Sequence, residues 1–156
     1  MLPQDVFRAR LDQAIASISY WVPSIADVAD VEQMDGDGYW RIRITPCVPN
    51  ACAFELVLRG DQKFDLMIDG EVYEDRDIEV VEVFLPLVDA IASGNAEQHR
   101  WSSTATSTLR AIETRIMLPD GHIWRDGHPD EFFQRLTLAP PEGVELEVRR
   151  FLPYRR

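Results

Sequence analysis

"YWRIRITPCVPNACAFELVLRGDQKFDLMIDGEVYED", Tyr39 to Asp75, is the stretch that decides the fold. Trp40, Ile42 and Ile44 point one way and Arg41 and Arg43 the other. Cys52, Phe54, Leu56 and Leu58 repeat that alternation, and Phe64, Leu66 and Ile68 continue it. A period of two marks a strand with one buried face. Asp69-Gly70 is a favoured two-residue hairpin dipeptide, because both central positions of such a turn need positive φ. "EVYED" is therefore expected to return antiparallel. Strands joined by turns this short pair antiparallel, so the stretch predicts a β-meander.

Upstream, Phe7, Leu11, Ala14, Ile15, Ile18, Trp21 and Val22 fall on one helical face. Pro3 suits the first turn, and Pro23 marks the end, since the residue before proline avoids helical geometry. "ADVEQM" predicts a strand leading into the turn "DGDG". Downstream, Val81, Phe84, Leu87, Val88 and Ile91 switch to helical spacing. Pro86 lies inside that pattern, where an interior proline costs about 3 kcal/mol. A kink or a late helix start follows, with Gly94 as the C-cap. "QHRWSST", "LRAIETRIML" and "HIWRD" predict three more strands, a short helix with Phe132, Phe133 and Leu136 inward follows Pro129, and "VELEVRRFL" predicts a last strand.

The expected object is a single α+β domain over residues 1–156. It has a twisted, mainly antiparallel sheet of about six to eight strands, with an N-terminal, a central and a short C-terminal helix packed on it. The basic tail, 153–156, is expected to be flexible.

Sixteen basic residues oppose twenty-seven acidic ones, a formal charge of −11. That balance argues against a nucleic-acid backbone and an anionic membrane surface, both of which attract clustered Lys and Arg. Between Asp61 and Glu82 nine acids face only Lys63 and Arg76, whereas Arg149 to Arg156 holds four arginines and no acid. An acidic run is most often a solvated face. Its functional meaning would be steering of a basic partner. The N-terminus has no apolar signal core and no stretch reaches membrane-spanning length, so a cytoplasmic protein is the expectation.

Candidate chemistry is sparse. Cys47 and Cys52, in "CVPNAC", lack the second pair that a zinc site needs and the two-residue spacing of a redox motif. Cys52 fits an inward strand position, where cysteine acts as a small hydrophobe. In "DGHIWRDGH" an Asp-Gly-His trio recurs six residues apart, but in a strand His122 and His128 would stand roughly 20 Å apart. The hydroxyl-rich "RWSSTATSTLR" has no nucleophile elbow. No metal, cofactor or catalytic residue is expected.

Three functional expectations follow. The first is a non-enzymatic acidic protein-binding module of adaptor, chaperone-like or toxin-neutralising type, presenting Glu71, Glu74, Asp75, Asp77 and Glu79 to a basic protein or peptide. The second is a small-ligand-binding domain or enzyme, with a pocket between sheet and helix lined by Trp101, Arg110, His122 and Trp124. The third is a homodimer formed through an exposed strand edge such as "VELEVRRFL".

Overall fold

The computed structural model describes residues 1–129 and 143–155. Helix α1 (Gln4–Trp21) leads into a meander of strands β1 (Ala29–Gly36), β2 (Tyr39–Pro46), β3 (Phe54–Arg59), β4 (Lys63–Ile68) and β5 (Glu71–Asp77). A 3₁₀ turn (Val81–Val83) and helix α2 (Phe84–Ala92) follow. The chain then forms β6 (Ala96–Ser103), β7 (Leu109–Met117), β8 (Ile123–His128) and β9 (Val144–Arg150).

These strands make two antiparallel sheets, ordered β1-β2-β3-β4-β5 and β8-β7-β6-β9. The architecture is α+β, but the expectation of one sheet with six to eight strands is corrected to five strands plus four. The physical reason is the segment 78–94, whose 3₁₀ turn and helix α2 pack on the first sheet, so β6 starts a new sheet. Alternation within a strand cannot reveal which sheet that strand joins. The described residues contain two α-helices; the short helix expected after Pro129 lies outside them.

The alternation read from the sequence sets the core. Trp40, Ile42, Ile44, Phe54, Leu56, Leu58, Phe64, Leu66 and Ile68 are buried on one face of the first sheet. Against them lie Phe7, Leu11, Ala14 and Ile18 of α1 and Phe84, Leu87, Val88 and Ile91 of α2. Phe64 meets Phe84 edge to face, with centroids 5.2 Å apart. Pro86 is accommodated because α2 starts only at Phe84. The proline thus falls in the first turn, where its missing N–H forfeits no intrahelical bond. At the Asp69-Gly70 turn both residues have positive φ, +47° and +87°, as a two-residue hairpin requires.

One irregularity was not legible. In β5, Glu74 and Asp75 together oppose Asp65, and the register shifts there. Asp75 takes φ +56°, and its N–H donates to Asp65 Oδ1 at 2.8 Å. An extra residue of this kind bends the strand locally.

The tail expected to be flexible is docked as far as Arg155. Phe151 and Tyr154 are buried, Leu152 bridges Ala51 in parallel, and Tyr154 donates its N–H to Ala92 O at 2.8 Å. Its hydroxyl donates to Cys52 O, and Arg155 pairs with Asp27 at 2.6 Å. "CVPNAC" is thus the loop that receives the C-terminal segment. The same segment explains Gly94. It caps α2 at φ +81°, with Asn95 N–H bonded to Ala90 O, a Schellman arrangement. A Cβ there would lie 2.7 Å from Pro153 N. Gly94→Ala is expected to lower stability by about 2 kcal/mol, read as a fall in urea midpoint with unchanged slope.

Candidate functional site

The two sheets meet where β5 runs past β7 and β8, and Tyr73 is the joint. Its hydroxyl shares a hydrogen bond with Thr114 Oγ1 at 2.8 Å. Its ring stacks on His128 at 4.8 Å with an interplanar angle of 7° and meets the edge of Trp124. Burial of the hydroxyl pushes the Tyr73 pKa up. Beside it Arg76 grips Asp126 through two hydrogen bonds, of 2.6 and 3.2 Å. His128 Nε2 lies 2.6 Å from Val72 O.

This junction leaves two clefts along the segment that joins β5 to α2. One, of about 480 Å³, lies between α2 and β8, with Phe64, Phe84, Ile123 and Trp124 as apolar wall and Glu79 at its rim. The other, of about 540 Å³, is walled by Val80, Pro86, Leu118 and Pro119 and rimmed by Glu82 and Asp120. Both include Val80 and Val83, so these valines form the ridge between them. Val80 is 55% exposed.

The candidate lining residues separate. Trp124 lines the first cleft and His122 the second. His122 is exposed at the β7–β8 turn and its Nδ1 lies 2.8 Å from Asp120 Oδ2, which holds the Asp120 carboxyl below its usual range. Trp101 stands on the opposite face of the second sheet from Trp124, by the alternation of β6 and β8 across β7. Arg110 is exposed near the start of β7. Four residues named for one pocket therefore divide among several places, because strand parity and sheet order decide facing. Asp126-Gly127, the second Asp-Gly of "DGHIWRDGH", lies inside β8. His122 and His128 stand at opposite ends of that strand.

The acidic run is also rearranged by folding. Arg59 reaches Asp61 at 2.6 Å, Asp75 at 2.5 Å and Asp65 at 3.4 Å, and its guanidinium holds the Asp61 carboxyl low. Lys63 pairs with Asp77, Arg149 with Asp69 and Arg10 with Glu82. Of the five acids expected to meet a partner, Asp75 and Asp77 thus already face cations. Glu71, Glu74 and Glu79 have no ion pair among the described residues.

A second titratable group, missed in the sequence, lies on the outer face of the second sheet. Glu113 has no exposed surface and accepts from Arg115 and, at 2.9 Å, from Arg125. His99, directly across from Glu113 on β6, contacts Glu97 at 2.8 Å through Nε2. That bond keeps the Glu97 carboxyl below its ordinary pKa. The His99 Nδ1 is buried and has no hydrogen-bond partner among the described residues. The available signal was the two-residue spacing of Glu97 and His99 and of Glu113 and Arg115, which puts each pair on one face of its strand. Among the described residues, only Arg125 of β8 and Arg150 of β9 reach these carboxylates from other strands.

Among the described residues no group of three or more His, Cys, Asp and Glu is placed to hold a metal ion, and no helix is long and apolar enough to cross a membrane. Both cysteines are free thiols, Cys47 exposed and Cys52 buried. Burial pushes the Cys52 thiol pKa well up. Comparison with known protein families, with curated proteins and with solved structures found no significant match.

Two outcomes are expected. Glu113→Gln strips a buried carboxylate from two guanidinium groups and lowers stability by about 2 kcal/mol, measured by urea denaturation at neutral pH. Iodoacetamide applied to the native protein modifies Cys47 and leaves Cys52 intact, because the thiolate is the nucleophile and Cys52 is neither ionised nor accessible; peptide mass mapping distinguishes the two.

Proposed function

We propose that the protein is a non-enzymatic protein-binding module that receives a basic, amphipathic segment of a partner along the Val80–Pro86 ridge. The observation that carries this reading is the pairing of the two clefts. Their floor is aliphatic and aromatic, and their rims carry Glu79, which has no ion pair among the described residues, together with Glu82 and Asp120, which face Arg10 and His122. The rims also carry Arg76 and Arg125, which are bonded to Asp126 and Glu113. An apolar groove edged with carboxylates complements a segment that has apolar residues on one side and Lys or Arg on the other. The charge of −11 adds long-range attraction for such a partner.

The contacting acids are narrower than the whole run from Asp61 to Glu82. Asp61, Asp65, Asp69, Asp75 and Asp77 each face a cation of the same chain, so a partner would have to compete for them. Glu71, Glu74 and Glu79 carry no such internal partner among the described residues and remain available to cations from outside. Desolvating them against a partner's lysine or arginine forfeits no internal pair.

A fluorescein-labelled amphipathic peptide with lysines on one face serves as the probe. It is expected to bind, and Glu71→Gln, Glu74→Gln and Glu79→Gln together are expected to weaken binding by roughly tenfold or more. Molar salt should weaken it as well, by screening, and Val80→Asp should abolish it. An affinity indifferent to both the triple variant and salt would rule out the electrostatic mode of recognition.

A further inference from the structure

Strand β9 is an edge of the second sheet, paired only with β6 among the described strands. Two hydrogen bonds fix which of its backbone groups face outward. Gly143 O accepts from Thr104 N–H, and Phe151 N–H donates to Ala96 O. Both belong to the β6–β9 register, in which residue pairs run from Glu97 with Arg150 to Ser103 with Val144 without a shift. In an antiparallel ladder the bonded residues alternate. Odd-numbered residues of β9 therefore bond to β6, and Val144, Leu146, Val148 and Arg150 direct their N–H and C=O groups away from the sheet.

Such an edge is a template for another strand unless it is blunted by lysine, proline, a bulge, other charged side chains or a cover. β9 has none of the first three. The other edges differ. β8 and β5 are tied to each other through Arg76 and Asp126 and through His128 and Val72. β1 carries Asp30, Glu32 and Asp35 with no basic residue, so a second copy would bring only like charge.

In β9 the charges are ordered instead: Glu145 and Glu147 come first, Arg149 and Arg150 last. Laid antiparallel on itself, the strand brings opposite signs together; laid parallel, it would oppose like signs. We propose that the protein forms a two-fold symmetric dimer in which β9 pairs antiparallel with β9 of a second copy, centred on Glu147, so that two four-stranded sheets become one.

The register follows from charge and from sterics. Centring on Glu147 puts Glu145 opposite the partner's Arg149, which would then be shared with Asp69 of its own chain. It also puts Leu146 opposite the partner's Val148, and Val144 opposite the partner's Arg150, which keeps its pair with Glu97. Leu146 and Val148 are 51% and 40% exposed in the single chain, and on the same face they adjoin Trp101 and His99 of β6. Dimerisation would join these side chains into one apolar strip. The central Glu147 of each copy stands across from Arg100, which offsets the like charge at the axis.

Centring on Val148 would lay the partner's Val144 against Leu152. That position is taken, since Leu152 N–H donates to Asn50 O at 3.0 Å and Leu152 bridges Ala51. Centring on Leu146 would set Glu145 opposite the partner's Glu147 on both sides of the axis.

Sedimentation equilibrium of the full chain at micromolar concentration is expected to give twice the chain mass. Leu146→Pro removes an N–H that only the partner strand would use, and should halve that mass while far-UV circular dichroism stays unchanged. In a Cys47→Ser background, Glu147→Cys should form an intermolecular disulfide under mild oxidation, because it faces its own symmetry mate, and Val148→Cys should not. A monomeric wild-type chain overturns the proposal. So does a Leu146→Pro variant that folds and still dimerises, or faster crosslinking through Val148→Cys than through Glu147→Cys.

Discussion

The burial of Tyr73 between the two sheets is the constraint on which the rest of the structure depends. A tyrosine hydroxyl removed from water must find a partner, and here that partner is Thr114 on β7. One bond thus ties the end of a local meander to a strand more than forty residues later. The stack on His128, the edge contact with Trp124 and the Arg76–Asp126 pair surround the same joint. Together they fix the angle at which β8 passes β5, and so the width of the cleft between β8 and α2. The bulge at Glu74–Asp75 lies beside the same joint and bends β5 locally, just after Tyr73.

Charge in this protein is organised by folding as much as by composition. A single guanidinium, Arg59, gathers three aspartates drawn from three different segments. Arginines of β9 and the tail return to Asp69, Glu97 and Asp27. These pairs are mostly exposed and contribute little stability singly. Their larger effect is selective. They quench most of the acidic run and leave Glu71, Glu74 and Glu79 as its outward-facing part. Glu113 is the opposite case: a carboxylate buried outright, held by two arginines, and therefore part of how the second sheet is put together.

Much of the first sheet was legible because its information is local. Alternation from Trp40 to Ile68 gave the buried face, and Asp69-Gly70 gave a hairpin whose two positive φ values are observed. The delayed start of α2 was legible from Pro86 alone. The division into two sheets was not, because β6 and β7 alternate in the same way whichever sheet they join. The candidate pocket failed for a related reason. Trp101, Arg110, His122 and Trp124 are close in sequence, yet strand order and face parity send them apart. The clefts that do exist combine residues near 80 with residues near 120, a pairing that no local pattern announces. Nor did the arginine-rich tail advertise that Tyr154 would be buried against Cys52 and Ala92.

By itself the sequence determined an α+β chain, the inward residues of β2, β3 and β4, the hairpin at Asp69-Gly70, the helix boundaries set by Pro23, Pro86 and Gly94, and the excess of negative charge. These depend on neighbours within a few positions, where sterics and periodicity act directly. The tertiary structure alone decided which acids have no ion pair among the described residues, where apolar surface is exposed beside carboxylates, and which glutamate is buried. Those features arise from residues brought together over tens of positions, by burial of a few side chains such as Tyr73 that satisfy their polar groups only across the join.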